Sequence, residues 1–431
     1  LSPELVGALG FVALLFLILV LRFPIAFALL FVGVTGYAYL TGPDIALAKL
    51  GTDVFGTAKG YSLSVIPMFV LMGLFLGTTG VGKDLFRAFN AWFGHIRGGL
   101  AVATVGACSA FAAVCGSSIA SAATMATVAV PPMLAHKYRE DYAAGTVASA
   151  STLGILIPPS TVMVIYGVIT QEPIGKLLIA EIIPGLIAAG LLGLVAWSWA
   201  KLNPAVAPEA YRSTWQEKLA VTKLVWPIPA IFLLMFGGIY GGVFTPTEAG
   251  AMGAFLSLLY FLFTRRMNWR SFIEAFRETV KVVAMLMLVI VGGVIFGHFM
   301  SISHLPLLIK EALAGVSPTL LLLLVFIIYF AAGFVMDEMA ILIIFTNLFY
   351  PLLTGAGYSG IWFGVVSILF ALLAFLTPPV GIISLVTAAI TKMRSETVFK
   401  GTTPYWLALI GATILIMVFP ELATFLPDLM R

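Results

Sequence analysis

Two short motifs hold the residues best placed to do chemistry: LGILIPPS at 153–160 and AFLTPPVG at 374–381. Each sets tandem prolines inside an apolar run, and proline has no N–H to donate. Pro158 and Pro159 therefore leave the carbonyls of Gly154 and Ile155 without helical partners, and Pro378 and Pro379 do the same to Ala374 and Phe375. Ile157 and Thr377, each preceding a proline, are pushed out of the helical region. Unwound carbonyls beside hydroxyls are ligands for a hard cation such as Na⁺. The expected first cation set is the carbonyls of Gly154, Ile157 and Pro159 with Ser117 or Ser118. The second is Ala374, the Thr377 hydroxyl or carbonyl, and Val380, with Gly333.

An anion would be held differently, by free N–H groups at helix starts and by hydroxyls. The segment GSSIAS at 116–121 is small and hydroxyl-rich, and Ser160 and Thr161 follow the first proline pair where a helix restarts. Ser117, Ser118, Ser160 and Thr161 are thus the expected partners of a substrate carboxylate. Asp337, also a substrate candidate, stands either to support the second cation set or to cap a returning helix, and Glu338 is expected to face water. His298 and His304, near one end of an apolar run, and His95 and His136 read as interfacial or internally satisfied. Cys108 and Cys115 are seven apart, about 10.5 Å along a helix axis, too far to bridge. HExxH, GxSxG and GxxxxGK[ST] patterns are absent, which argues against hydrolytic chemistry and against direct ATP drive.

The elements that must position these residues are membrane helices. Of 431 residues, 61% are hydrophobic and only 10% charged, outside the range of soluble domains. A hydrocarbon core of about 30 Å needs about 20 apolar residues per helix. Full spans are expected at 4–22, 24–41, 60–80, 142–170, 177–200, 224–244, 247–264, 282–300, 361–391 and 404–427, the first retained rather than cleaved as a signal peptide. Two further stretches, 99–134 and 317–353, are too long for one span and are broken at CGSS and AAGFVMDE. Each reads as a re-entrant helical hairpin.

This layout passes the positive-inside test. Arg22, Lys83, Arg87, Arg97, Lys137, Arg139, Lys201, Arg212, Lys218, Lys223, Arg265, Arg266, Arg270, Arg277, Lys281, Lys392, Arg394 and Lys400 fall on one side, expected to be the cytoplasm. Lys49, Lys59, Lys176, Lys310 and Arg431 fall opposite, and both termini are expected outside. A repeat also emerges of span, amphipathic arm (83–97 and 303–314), hairpin, proline-broken span and closing span. Residues 1–200 form one half and 224–431 the other, joined by a cytoplasmic connector at 201–223. Opposite hairpin orientations make the repeats inverted, and paired interrupted helices mark the binding site of a secondary transporter. The fold class is therefore an all-α polytopic membrane protein with inverted repeats, two re-entrant hairpins and two broken helices.

The motifs RFPIAFAL (22–29), CGSSIASAATM (115–125), LGILIPPS, GGVFTPTEAGA (241–251), GFVMDEMAI (333–341) and FLTPPVG span nearly the whole chain. Together they resemble the large membrane (M) subunit of tripartite ATP-independent periplasmic (TRAP) transporters. The resemblance implies a Na⁺-coupled importer of organic acids in a bacterial or archaeal inner membrane, working by an elevator motion. C4-dicarboxylate is the default substrate, with sialic acid or a related acid as alternatives. It implies a small four-helix membrane partner (Q) and a periplasmic substrate-binding protein (P), neither expected within these residues, and no cofactor besides the coupling ion. Ser121 stands where the family often has Asp, and Glu338 after Asp337 is less usual. A stand-alone Na⁺/divalent-anion symporter of related fold, a channel and an intramembrane enzyme using Asp337 with Glu338 remain as other readings.

Overall fold

The computed structural model describes residues 1–208, 213–264, 268–313, 315–378 and 380–430. Pro379, Arg212, Arg265, Arg266 and Arg431, named above, lie outside the described residues. The described chain is helical, and seven of its helices, or eight counting one bent pair, are long and apolar enough to cross a bilayer.

The first half opens with α1 (Pro3–Leu19) and α2 (Ile25–Thr41). The helix α3 (Pro43–Lys59) was not expected, because Asp44, Lys49, Asp53 and Lys59 interrupt its apolar pattern. Only one face of α3 is needed for docking: it packs on α2 and on a long helix of the second half, burying Ala46 and Asp53. After α4 (Val65–Thr78) comes the arm α5 (Val81–Phe93), which buries Val81, Leu85, Phe86 and Ala88 while exposing Lys83 and Arg87. The first hairpin is α6 (Gly99–Cys115) and α7 (Ser118–Ala135). The broken helix is α8 (Glu140–Ser151) and α9 (Thr161–Thr170). The closing span runs from Ile174 to Leu202 as expected, with a one-residue turn at Glu181 between α10 (Ile174–Ala180) and α11 (Ile182–Leu202).

The expected connector is partly helical. A reciprocal capping box between Thr214 and Glu217 starts α12 (Trp215–Val225) inside it. This helix docks on α5, where Trp92 Nε1 donates to Thr222 Oγ1 at 2.9 Å and Lys218 lies over the Trp92 and Trp215 rings. Pro227 then opens α13 (Pro227–Tyr240), bent by 46° from α12, and Thr245 and Glu248 cap α14 (Pro246–Phe263).

The second half continues with α15 (Trp269–Ile302), which at 34 residues runs well beyond the expected 282–300 because its first turns are polar yet helical. Then follow the arm α16 (Leu305–Ala312) and the second hairpin, α17 (Pro318–Ala332) and α18 (Glu338–Gly355). The second broken helix is α19 (Gly360–Leu376) and α20 (Ile382–Thr391). The last expected span, 404–427, divides at Pro420 into α21 (Ser395–Val418) and α22 (Glu421–Asp428); α21 starts early because Pro404 is accommodated within it.

Elements from the two parts of the chain correspond in length and packing. Both returning hairpin helices, α7 and α18, have 18 residues, and both restarted helices, α9 and α20, have ten and end on a left-handed residue, Gln171 or Lys392. Packing is reciprocal: α9 lies on α18 while α20 lies on α7, and α4 lies on α14 while α15 lies on α2. Small residues let the helices approach closely. Gly145 of α8 and Gly401 of α21 touch backbone to backbone, and a side chain on Gly33 of α2 would lie 2.9 Å from the Phe296 nitrogen of α15. Thr146 Oγ1 and Tyr405 Oη, both buried and 2.6 Å apart, tie α8 to α21.

Candidate functional site

At the first hairpin tip the chain reverses in two residues. Gly116 has φ +60, a left-handed conformation that glycine adopts without strain, and a Cβ there would also sit 2.8 Å from the Pro159 carbonyl. Ser117 is extended and caps α7 by accepting the Ala120 N–H. The Ser118 hydroxyl donates to the Thr152 carbonyl at 2.9 Å, joining tip to break. Gly154 is pressed against the tip backbone, where a Cβ would lie 2.7 Å from the Ser117 carbonyl carbon and oxygen and from the Ser118 nitrogen. Thr161 Oγ1 donates to the Gly116 carbonyl at 3.4 Å, and Ser160 caps α9 by accepting the Met163 N–H at 3.2 Å.

Ser117, Ser118, Gly154, Pro159, Ser160 and Thr161 are therefore brought into one knot. The Ile157 side chain turns the other way, toward Gly185 of α11. The break is wider than the proline pair alone requires: α8 stops at Ser151 and a 3₁₀ turn covers Thr152–Ile155. The Pro158–Pro159 peptide is cis.

The second tip uses other means. Gly333 ends α17 with its Cα against the Ala374 side chain of α19, so two of the expected cation ligands are neighbours. Asp337 caps α18, its Oδ1 accepting the Ala340 N–H at 2.9 Å, which is one of the two roles expected of it. At the break the Thr377 hydroxyl donates to the Leu373 carbonyl, and its N–H donates to the Ala374 carbonyl at 3.2 Å. The Ala374 oxygen, expected to be free, keeps one lone pair. Thr377 and Val380 are half-buried and Pro378 is exposed, whereas residues 152–160 are buried apart from half-buried Ile157.

Both tips meet at one cavity of about 690 Å³. Gly116, Ser117 and Thr161 line it from the first half, Asp337 and Glu338 from the second, and α2, α4 and α15 form its wall. It lies at the Thr78 end of α4 and the Val282 end of α15. Two other cavities, of about 650 and 760 Å³, lie toward the opposite ends of these helices, beside His298 and Ser301 and beside Ser62. From Val282 to Ser301 a helix rises about 28 Å, close to one hydrocarbon thickness.

Glu338 corrects an expectation. It is not an exposed group: it stands at the edge of this cavity with only 8% of its surface accessible, and among the described residues its Oε2 has no hydrogen-bond partner. Glu181 was missed. It is fully buried at the joint of α10 and α11, its carboxylate beside the Ser160 side chain. The available signal was an acidic residue inside an apolar segment, which marks a functional candidate by default. His298 is satisfied as expected, its Nδ1 lying 2.8 Å from Asp53 Oδ2, while Lys49 pairs with Asp53 Oδ1 at 2.9 Å.

Residues 12–422 match the family model described as "Tripartite ATP-independent periplasmic transporter, DctM component". The chain belongs to this family. It is a transporter permease subunit and not an enzyme. A relative from Pseudomonas aeruginosa, the C4-dicarboxylate TRAP transporter large permease protein DctM, is 36% identical over 90% of this chain and 91% of its own length. The sialic acid TRAP transporter large permease protein SiaM of Vibrio cholerae is 30% identical over 94% and 95%. The isethionate TRAP transporter permease protein DctMQ of Oleidesulfovibrio alaskensis is 30% identical over 94% of this chain and 63% of that protein. Among solved structures, the Alcanivorax borkumensis YdaH transporter superposes with a TM-score of 0.60 at 18% identity, covering 87% of this chain and 89% of its own. That likeness concerns the fold.

Proposed function

We propose that this permease is the transport subunit of a Na⁺-coupled, binding-protein-dependent importer of organic acids. A C4-dicarboxylate, sialic acid or a related carboxylate is the cargo, and movement is of the elevator type. The single observation that carries the reading is the convergence of both tips and the restarted helix α9 on one cavity.

In this reading the inverted repeats are 1–200 and 224–431. Their hairpins and broken helices form the moving body, and α2, α4, α14 and α15 form much of the fixed wall. One Na⁺ sits at Ser117 or Ser118 with Gly154, Ile157 and Pro159, and another at Gly333 with Ala374, Thr377 and Val380. Each binds where its ion replaces missing helical hydrogen bonds, so cation binding closes a break that would otherwise leave carbonyls unsatisfied. The solute carboxylate lies against Ser117, Ser160 and Thr161, with Asp337 opposite. The basic loops orient the protein with both termini outside, which makes the central cavity inward-facing.

A small Q-type membrane protein and a periplasmic P-type binding protein complete the system. The relative named DctMQ supports the first of these.

The test is uptake into proteoliposomes containing this chain and its small partner, with the binding protein outside. Accumulation that requires both an inward Na⁺ gradient and the binding protein is expected. Accumulation driven by H⁺ alone, or without the binding protein, would overturn the coupling or the assembly.

A further inference from the structure

The motif RFPIAFAL, with which α2 begins, has two faces. Pro24, Ile25 and Ala26 line the central cavity. Phe23, Phe27 and Leu30 turn the other way and line a groove of about 860 Å³ between α2, α3 and α15. The helix α15 is divided in the same manner, with Val282, Leu286 and Val289 on the cavity and Ala284, Met287 and Leu288 on the groove. A wall one helix thick therefore separates the two spaces.

The groove is apolar. Among its described lining residues the only polar side chains are Thr35 and Thr57, and Thr35 Oγ1 already donates to the Phe31 carbonyl at 2.6 Å. Phe27, Phe31 and Val54 are exposed along it, so it opens on the outside of the helix bundle, toward lipid. A polar solute would find no partner there.

Its length narrows what fits. From Phe27 to Thr35 the α2 edge rises about 12 Å, and from Ala284 to Val291 the α15 edge rises about 10 Å, within the roughly 15 Å of a single leaflet. A partner's spanning helix would need a seam about 30 Å long. At one end α3 covers the groove with Leu50 and Val54, and the adjoining Asp53 pairs with His298, about 10 Å further along α15 than Val291. At the other end Phe23 is preceded by Arg22, which is exposed and, among the described residues, in no ion pair. Lys281, one turn before Ala284, is taken by Glu278 of its own helix. An apolar slot of leaflet depth ending beside a free guanidinium matches an amphiphile with a hydrocarbon chain and an anionic head, and Arg binds phosphate through two parallel hydrogen bonds.

We propose that this groove is a phospholipid site, in which one acyl chain lies between α2 and α15 with its end beneath α3, and the phosphate rests on Arg22. The lipid then backs the wall that both tips face.

The experiment uses the permease, alone and with its small partner, in vesicles containing phosphatidylglycerol that carries a diazirine at the end of one acyl chain, with photo-adducts mapped by mass spectrometry. Adducts should fall on the lining residues of α2, α3 and α15 severalfold more often than on other lipid-facing helices, with and without the partner. Arg22→Gln should cut them severalfold and Arg22→Lys less. Ala284→Phe, which puts a ring into the groove, should abolish them, and diacylglycerol with the same chain, lacking the phosphate, should not prefer the groove. Even labelling of all lipid-facing helices overturns the proposal. So does groove labelling that vanishes when the partner is present, which makes the groove the partner's seat. Equal preference by diacylglycerol, or adducts unchanged in Arg22→Gln, takes the phosphate off Arg22 and overturns it too. If Arg22→Gln fails to assemble, the comparison of the two probes on the wild-type protein decides.

Discussion

At the first tip the residue capping the returning helix is Ser117, followed by a second serine; at the second tip it is Asp337, followed by Glu338. The backbone plan is the same, a capped 18-residue helix leaving a turn that touches a broken helix. The fastening differs. The first tip is tied to its break by the Ser118 to Thr152 hydrogen bond and by Gly154 lying on the tip backbone, and that break is almost wholly buried. The second touches its break through Gly333 and Ala374, and its break is partly open. One tip spends its polar groups on holding the chain together. The other buries a carboxylate, Glu338, at the edge of the cavity.

The contrast can be broken most sharply at its glycines. Gly154→Ala would drive a methyl into backbone that has nowhere to go, and we expect a loss of about 1–3 kcal/mol in stability with loss of Na⁺-dependent uptake. Gly333→Ala meets only the Ala374 methyl, so adding Ala374→Gly should restore much of what it loses. Thermal unfolding and uptake of the single and double variants measure both effects, and a Gly333→Ala defect that exceeds Gly154→Ala and resists rescue would remove the asymmetry.

A smaller effect is expected at the second break. Thr377→Ala should raise the Na⁺ concentration for half-maximal uptake about tenfold, equivalent to about 1.4 kcal/mol. An unchanged Na⁺ titration would take Thr377 out of the cation set. Ser118→Ala should cost about 1 kcal/mol in unfolding free energy by removing the hydrogen bond that joins tip to break. The smallest effect is predicted for Ser117→Gly, a few tenths of a kcal/mol, since glycine is a tolerable helix cap. A larger drop in Na⁺ affinity than in stability for Ser117→Gly would place the Ser117 hydroxyl on the ion, and equal drops would confine it to capping.

Much of this arrangement was legible in the sequence because proline and glycine act locally. The missing N–H groups of Pro158 and Pro378 mark both breaks, and CGSS and GFVMDE mark both tips, whatever surrounds them. Properties set by packing were not legible. Nothing near Glu338 in the sequence states that its tip faces a cavity walled by α2, α4 and α15, so its burial was missed. The helix α3 was hidden because its charges interrupt the apolar pattern, yet the buried one, Asp53, is satisfied by Lys49 and by His298, the latter from a helix some 245 positions away. Glu181 falls where an apolar run is expected to continue and instead marks the joint between α10 and α11. In each case the missing information was which distant helix supplies the environment.

The account turns on the cavity between the tips being the place where solute sits, and the protein carries a reporter there. Cys115, the last residue of α6, lines the cavity, while the other cysteine, Cys108, is buried 3.9 Å from Ser151 Oγ. The rate of Cys115 alkylation by a small maleimide, followed by mass spectrometry in the reconstituted complex, should fall severalfold when a transported solute and Na⁺ are both present, and much less with either alone. An alkylation rate indifferent to solute, under conditions where that solute is being accumulated, would contradict the placement of the site.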